Sequence, residues 1–251
     1  MKQIMSDNKS TSGYLELFLG PMFSGKTSRL IDIYKREEYC SQHPIVINYT
    51  GDKRYSDHET HMSSHDSIKI PCIRTSNLSD IFDVGLYLLM KSTKKDSKFL
   101  ENVIISTPDN DDKLSNKINI IKSLIDPKHP TFTRTILINE GQFFPDVFDW
   151  VKHMVTYLDK RVYIAGLDGD FKQEPIGDLL KLLPYSNKCT KLTSLCYDCR
   201  NGTEAIFSHR ITNETEQIVI GTDNYVPLCR YCYSNRNNIS RNINTMINLS
   251  C

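Results

Sequence analysis

The sequence has almost no net charge and no long apolar run. Its 251 residues include 31 Lys and Arg against 30 Asp and Glu, which leaves a formal net charge of +1. A chain so balanced carries no overall field that attracts nucleic acid or an anionic membrane. No apolar run approaches the roughly 18 residues that a membrane-spanning helix needs. We therefore expect neither nucleic acid nor a membrane among its partners.

The amino-terminal segment lacks the apolar core of a secretory signal. It reads MKQIMSDNKSTSG and is almost wholly polar. We expect residues 1–13 to form a disordered tail and the protein to stay in the cytosol.

Disulfides are not expected, although the chain has eight cysteines. Four of them form two C-x-x-C pairs, and in a reducing compartment such pairs favour metal ligation. The scattered cysteines are expected to be inert, partly buried side chains. The pairs are Cys196 with Cys199 and Cys229 with Cys232, and the scattered residues are Cys40, Cys72, Cys189 and Cys251.

Short apolar segments alternate with segments of helical periodicity. This alternation predicts an α/β fold with a mostly parallel sheet, and the nearly continuous apolar strands indicate burial on both faces. The predicted strands are Tyr14–Leu19, Ile45–Tyr49, Thr135–Ile138 and Val162–Ala165, and the predicted helices are Thr27–Tyr39 and Val147–Tyr157.

Two regions interrupt the alternation. Residues about 91–134 are rich in Lys, Asp, Asn and Ser around the weakly apolar stretch Ile118–Ile125. They predict a partly mobile surface insertion. The alternation ends at Cys196, and the Asn-rich residues 234–251 predict a second disordered tail.

A glycine-rich segment predicts a phosphate-binding loop. It fits G-x-x-x-x-G-K-[ST] and lies between a predicted strand and a predicted helix, as that motif requires. Its backbone N–H groups can surround phosphate oxygens, with Lys26 on the β- and γ-phosphates and the Thr27 hydroxyl on Mg²⁺. The segment predicts binding of ATP or GTP. It comprises Gly20, Pro21, Met22, Phe23, Ser24, Gly25, Lys26 and Thr27.

The paired cysteines predict a structural zinc site. Cys196, Cys199, Cys229 and Cys232 supply four thiolates, the tetrahedral set that Zn²⁺ prefers, and a closed shell leaves no position for a reactive water. Residues 200–228, between the pairs, are longer than the usual ribbon spacing and fit a loop held at both ends.

Glu140 is the candidate general base. It follows the apolar residues of the third predicted strand, at the carboxyl end where ligands bind in open α/β sheets. A carboxylate there can accept the proton that a hydroxyl loses as it attacks phosphorus.

Seven motifs, in order along the chain, together resemble those of the type II thymidine kinases of animals, bacteria and large DNA viruses. The resemblance covers about residues 14–90 and 135–233. The motifs are GPMFSGKT, DKRYS (Asp52–Ser56), His65-Asp66, EGQFF (Glu140–Phe144), LDGDF (Leu167–Phe171), KLTSLCYDC (Lys191–Cys199) and PLCRYCY (Pro227–Tyr233).

This resemblance implies an activity and an architecture. The implied reaction moves the γ-phosphate of ATP to the 5′-hydroxyl of thymidine, with Mg²⁺ for chemistry and Zn²⁺ for structure. The implied fold is a RecA-like P-loop domain over residues 14–190, followed by a small zinc domain over 191–233 whose "lasso" loop closes over the nucleoside. The implied assembly is a homotetramer or a dimer.

The resemblance also implies further ATP and Mg²⁺ contacts and a thymidine pocket with Phe171 as the stacking ring. One position departs from the family, which usually has Asp where this chain has Asn139. Asn keeps an acceptor oxygen without the negative charge, so we expect a higher Mg²⁺ requirement. The additional ATP and metal residues are Asp52, Lys53, Arg54, Asn139 and Gln142. The thymidine residues are Met22, Phe143, Leu167, Phe171, Ile176, Ser208, Gln217, Ile218, Val219, Ile220, Gly221 and Tyr225.

Two other interpretations remain open at this level. A P-loop ATPase with a zinc ribbon could bind nucleic acid, but it would need a basic groove with aromatic side chains, and no Lys/Arg cluster lies near the cysteines. A catalytically weakened member of the same family is the third interpretation, motivated by Asn139 and the insertion.

Overall fold

The protein is a three-layer α/β structure with a small module of short strands at its carboxyl-terminal end. A computed structural model describes residues 12–52, 60–64, 67–83, 111–219, 221 and 223–237, with backbone alone at 111–115. The strands are β1 Tyr14–Leu19, β2 Ile45–Tyr49, β3 His61–Ser63, β4 Lys69–Pro71, β5 Ile73–Thr75, β6 Thr135–Asn139, β7 Arg161–Gly166, β8 Lys188–Lys191, β9 Ser194–Leu195, β10 Glu204–Ala205, β11 Phe207–Arg210 and β12 Tyr225–Leu228. The α-helices are α1 Lys26–Tyr39, α2 Asp111–Ile125, α3 Val147–Tyr157 and α4 Arg230–Arg236, and 3₁₀ turns cover Leu78–Asp80, Gly141–Phe143 and Leu179–Tyr185.

Six strands form the central sheet in the order β5-β2-β6-β7-β1-β8, and every pairing is parallel. The predicted fold class and all four predicted strands are confirmed. All five residues of β6 are buried, as expected for a strand covered on both faces. The register places Asn139 at the end of β6 beside Asn48 of β2, so polar side chains meet at the carboxyl edge of the sheet.

Helices cover both faces of the sheet, and each face has its own hydrophobic core. The larger core includes Trp150 and Met154 of α3, and the smaller one includes Leu30 and Ile31 of α1. These residues lie on the apolar faces that predicted the two helices. Among the described residues, no helix is both long and apolar enough to cross a membrane.

The prediction of a surface insertion over about residues 91–134 is wrong for its second half, from residue 111 onward. Helix α2 buries Ile121 and Leu124 in the larger core, and Thr133 is fully buried beyond it. The sequence did not predict this packing, because most of the segment is polar. A few apolar residues on one face are enough to anchor a helix to a core. Residues 91–110 lie outside the described part of the chain.

Strand β8 was not predicted, because its sequence, Lys-Cys-Thr-Lys, has no apolar signal. It joins the edge of the sheet by main-chain pairing with β1, where Leu17 is opposite Cys189. Hydropathy does not report such pairing, since the hydrogen bonds come from the backbone. The β3–β4 hairpin was missed as well.

The carboxyl-terminal module consists of two antiparallel strand pairs, β9–β10 and β11–β12, followed by α4. Its small core contains Ala205 and Leu228 together with the paired cysteines. Residues 234–236 belong to α4, where Arg236 forms an ion pair with Asp198, so the predicted tail begins too early. Residues 238–251 lie outside the described part of the chain.

Candidate active site

The loop between β1 and α1 encloses a polar cavity at the carboxyl edge of the sheet. Its two glycines have positive φ angles, +151° at Gly20 and +79° at Gly25. A Cβ at Gly20 would lie 2.3 Å from the carbonyl oxygen of Leu192, so this turn requires glycine. The Lys26 side chain is buried in the loop, where its Nζ donates to the Pro21 carbonyl at 2.5 Å and to Ser24 Oγ at 3.3 Å.

The polar cavity is lined mostly by the loop itself, which puts backbone N–H groups and a lysine around one space. This is the arrangement that binds phosphate groups. The cavity is lined by Met22, Phe23, Ser24, Gly25, Lys26, Thr27, Ser28, Asp52, Ser63, Glu140 and Leu167.

A second, more apolar cavity adjoins the first. Met22, Asp52, Glu140 and Leu167 line both cavities, so the two spaces meet at these side chains. The remaining lining residues of the apolar cavity are Phe143, Gly169, Asp170, Phe171, Ile176, Ser208, Gln217, Ile218, Val219, Gly221 and Tyr225.

Glu140 directly follows β6 and is buried at the junction of the two cavities. Its backbone is left-handed, with φ 56°, which turns the chain as it leaves the strand. Gln142 Nε2 donates to Glu140 Oε2 at 2.7 Å, while Gln142 Oε1 accepts from the Leu167 N–H at 3.0 Å. Gln142 therefore lies behind the carboxylate and orients it, and it does not line either described cavity.

A chain of side-chain hydrogen bonds crosses the strand ends beside the polar cavity. Thr27 Oγ1 donates to Asn139 Oδ1 at 3.3 Å, and Asn139 Nδ2 donates to Asn48 Oδ1 at 3.0 Å. Asn48 Nδ2 in turn donates to Asp52 Oδ2 at 3.3 Å. The neutral Asn139 is thus connected to the carboxylate of Asp52 through one buried amide.

The loop between β11 and β12, residues 211–224, is called the lasso here. Its residues Gln217, Ile218 and Val219 form one wall of the apolar cavity, and Phe171 forms another. Ser208 joins this module to the glycine-rich loop, because its Oγ accepts a hydrogen bond from the Met22 N–H at 2.9 Å.

Most sequence-predicted site residues come together around the two cavities. Phe143 also packs against Tyr49, with ring centroids 5.3 Å apart. Gly20, Pro21, Asn139 and Gln142 support the site from outside the cavity linings. Lys53, Arg54 and Ile220, and the motif residues His65 and Asp66, lie outside the described part of the chain.

Sequence reasoning missed Asp170, whose buried carboxylate fixes the wall that carries Phe171. Its Oδ1 accepts from the N–H groups of Lys172 and Glu174, and its Oδ2 accepts from Gln217 Nε2 at 3.0 Å. It lies inside the LDGDF motif, but its role depends on main-chain donors that no residue pattern displays. Sequence reasoning also missed Arg210, whose guanidinium donates to main-chain carbonyls, and Asn48, whose amide lies between Asn139 and Asp52. It missed Ser63 of the polar cavity as well.

The four cysteines of the carboxyl-terminal module converge on one point. Their sulfur atoms all lie within 4.8 Å of one another, and Cys199 Sγ is 3.8 Å from that of Cys229 and 3.5 Å from that of Cys232. Tetrahedral zinc with Zn–S bonds of about 2.3 Å separates its sulfurs by about 3.8 Å. The cluster therefore fits Zn²⁺, and Cys229 N–H donates to Cys196 Sγ in addition.

Comparison with known proteins agrees with this geometry. A family model described as "Thymidine kinase" matches residues 13–87 and 86–233. The thymidine kinase of Yaba monkey tumor virus is 32% identical over 230 residues, which is 91% of this chain and 99% of that protein. The thymidine kinases of sheeppox virus and vaccinia virus (strain Ankara) are 32% and 31% identical over 222 residues, covering 88% of this chain and 97% of each relative. By these matches, the chain belongs to the thymidine kinase family.

Proposed function

We propose that this protein is an ATP:thymidine 5′-phosphotransferase, which forms dTMP and ADP. The observation that carries the proposal is the position of Glu140, at the junction of a phosphate-loop cavity and an apolar cavity. In that position one carboxylate can reach the hydroxyl of a nucleoside and the terminal phosphate of ATP.

The polar cavity suits the triphosphate. The loop N–H groups and Lys26 match the β- and γ-phosphate oxygens, since both supply positive charge at short range. Lys26 already lies inside the loop, where phosphate oxygens can take the place of acceptors such as the Pro21 carbonyl and Ser24 Oγ.

The apolar cavity suits a pyrimidine nucleoside. Phe171 offers a flat ring and Met22 a flexible apolar side chain, and both can contact the faces of the base. The main chain of Gln217–Val219 offers donors and acceptors for the base edge. Ser208 and Tyr225 line the same space.

The proposed chemical step needs one proton acceptor. As the 5′-oxygen of thymidine forms its bond to the γ-phosphorus, the Glu140 carboxylate takes the hydroxyl proton. The bond between the γ-phosphorus and the β–γ bridging oxygen breaks, and its electron pair leaves with ADP. Gln142 keeps the carboxylate in place through its 2.7 Å hydrogen bond.

Two metals are part of the proposal. Oxygen donors are the ligands that Mg²⁺ prefers, and Thr27 Oγ1, Asn139 Oδ1 and Asp52 offer them beside the polar cavity. Bound Mg²⁺ would neutralise charge on the phosphates. The four cysteines would hold Zn²⁺ with a structural role, pinning both ends of the segment that contains the lasso.

The resemblance to the family also supports three further parts of the proposal, which concern the domains, the assembly and the cellular location. These are a P-loop domain over residues 14–190 with a zinc domain over 191–233, a homotetrameric or dimeric assembly, and a place of action in the cytosol. A nucleic-acid-binding ATPase is not favoured, because the relatives are named thymidine kinases and the second cavity is apolar.

The test is a substrate panel. Purified protein is mixed with ATP, Mg²⁺ and each of the four deoxynucleosides in turn, and the products are separated by chromatography. We expect dTMP and ADP in equal amounts from thymidine and no monophosphate from the purine nucleosides. ATP hydrolysis without any nucleoside product would refute the proposal.

A further inference from the structure

A single arginine connects the lasso to the rest of the nucleoside cavity. Arg210 is the last residue of β11, and only 5% of its surface is exposed. Its Nη1 donates to the carbonyl oxygens of Glu214 at 2.9 Å and Glu216 at 2.5 Å, and its Nη2 donates to that of Gln217 at 3.2 Å. The guanidinium therefore holds three carbonyl groups of one loop.

Tyr225 extends this arrangement to the next part of the lasso. Its hydroxyl oxygen accepts from Arg210 Nη2 at 2.6 Å and from Nε at 3.2 Å, and the hydroxyl donates to the carbonyl of Val219 at 3.1 Å. The carbonyls held in this way belong to Gln217 and Val219 among others, and both residues line the apolar cavity.

The same guanidinium also lies against the ring that forms the facing wall. Its central carbon is 3.8 Å from the centroid of the Phe171 ring, a stacking distance, and 5.2 Å from that of Tyr225. The Tyr233 hydroxyl fixes the Phe171 main chain by donating to its carbonyl at 2.6 Å. Arg210 is thus in contact with both the loop wall and the ring wall, although it lines neither of the two described cavities.

We propose that Arg210 is a positioning residue for the nucleoside. It sets the distance between the lasso and Phe171, so the affinity for thymidine depends on it while the chemical step at Glu140 does not. This inference rests on the proposed function in naming thymidine as the ligand. A lysine cannot replace Arg210 in this role. Its ammonium group has neither a planar face to stack on Phe171 nor a fork that reaches several carbonyls at once.

The test is the variant Arg210→Lys, which keeps the charge and most of the length. We expect the KM for thymidine to rise by roughly tenfold or more, since several hydrogen bonds to a charged donor are lost. The kcat at saturating thymidine and the KM for ATP should stay within about threefold, because the bound substrate and the transition state lose the same binding energy. Amide hydrogen exchange of residues 211–219 should be faster in the variant without any ligand.

The matched control is Arg200→Lys. Arg200 is an exposed arginine of the same module whose guanidinium lies 4.9 Å from the ring of Tyr197, and it lines neither cavity. This control should leave all four measurements unchanged. If Arg210→Lys unfolds, the variant Tyr225→Phe takes its place. That change removes only the hydroxyl between Arg210 and Val219. It should raise the thymidine KM and speed the exchange of the lasso amides, as expected for Arg210→Lys.

Two results would overturn the inference. One is a folded Arg210→Lys protein whose thymidine KM and lasso exchange both match the wild type. The other is a loss confined to kcat, which would place Arg210 in the chemical step. Wild-type protein that phosphorylates no thymidine would instead refute the proposed function, and the exchange measurement would still show whether Arg210 holds the lasso.

Discussion

The carboxylate of Glu140 is positioned by its neighbours and not by solvent. Only 6% of its surface is exposed, and Gln142 donates to it while accepting from the Leu167 N–H. At the scale of single residues, the buried carboxylate is thus held by a buried amide that is itself bonded to the main chain. Each substitution there changes a defined hydrogen bond, so its effect can be predicted.

Glu140→Gln should abolish most of the activity. The amide has nearly the shape of the carboxylate but cannot accept the proton, so kcat should fall by roughly 10²- to 10⁴-fold while ATP affinity changes little. The measurements are steady-state kinetics and ATP binding by calorimetry. The control is Glu38→Gln on the exposed face of α1. A loss smaller than about fivefold would remove Glu140 from the role of base.

Asn139→Asp should lower the Mg²⁺ concentration needed for half-maximal rate. One charge-assisted hydrogen bond exceeds a neutral one by about 1 kcal/mol, which corresponds to a several-fold change. The variant should also melt at a lower temperature, because Asp cannot donate to Asn48 Oδ1 as the Asn139 amide does.

Asn187→Asp is the matched control for that experiment. It lies at the amino-terminal edge of the sheet, where its side-chain oxygen accepts from the Leu15 N–H at 2.8 Å. The competing view is that Asp52, already connected to Asn139 through Asn48, supplies the negative charge. In that case the extra carboxylate would leave the half-saturation point unchanged or raise it.

Lys160 predicts a pH dependence of stability. Burial, with a smaller contribution from Arg134, lowers the pKa of Lys160 from 10.5 to about 8, and its Nζ donates to the Thr133 carbonyl at 2.6 Å. Between these values the unfolded chain binds more protons than the folded one, so the free energy of unfolding rises with pH. Below about pH 8 the lysine is protonated in both states, so the free energy of unfolding no longer changes with pH through this group.

Urea unfolding of wild-type protein and of Lys160→Met, at about pH 8 and about pH 10, tests this dependence. The rise between the two pH values should be smaller in the variant, whereas Lys35→Met, at an exposed position of α1, should keep the wild-type slope. Equal slopes in all three proteins would show that Lys160 does not titrate in this range.

At the scale of elements, α2 is an example of a helix that is polar in composition but anchored by few residues. It lies within a segment rich in Lys, Asp and Asn, and it still buries Ile121 and Leu124 in the larger core. Deletion of about residues 95–128 would remove these contacts. Such a deletion should therefore destabilise the protein.

Leu124→Ala should lower the free energy of unfolding by about 2–5 kcal/mol, the usual cost of an emptied leucine site in a core. Asn119→Ala, at an exposed position of the same helix, should change it by less than about 0.5 kcal/mol. Both values come from urea or thermal unfolding monitored by circular dichroism. Equal stabilities of the two variants would show that α2 does not contribute to the core in solution.

At the scale of the whole molecule, a small module completes the cavity that the large sheet begins. Ser208 of this module bonds to Met22 of the glycine-rich loop, and Gln217 bonds to Asp170 beyond the sheet. The module has only a small core around Ala205 and Leu228. We therefore expect its stability to depend on metal binding by the four cysteines.

The variant Cys229→Ser should lose the metal and should therefore bind thymidine more weakly. We expect one Zn²⁺ per wild-type chain and less in the variant, because metal binding supplies on the order of 10 kcal/mol to small zinc modules. The lasso should then lose its support, while ATP binding at the loop after β1 persists. Cys40→Ser, at an exposed position, is the control. Metal analysis and calorimetry give the result, and metal-free protein with full activity would contradict it.

The sequence by itself determined the features that depend on neighbouring residues. The glycine-rich turn, the C-x-x-C pairs and the strand–helix alternation are local patterns, and the structure has the predicted strands, helices and cysteine cluster in place. Only the tertiary structure decided which distant groups meet. The parallel register puts Asn139 beside Asn48, and Arg210 meets the main-chain carbonyls of the lasso. Main-chain groups are the same at nearly every position, so a sequence cannot show which of them a buried side chain will bind.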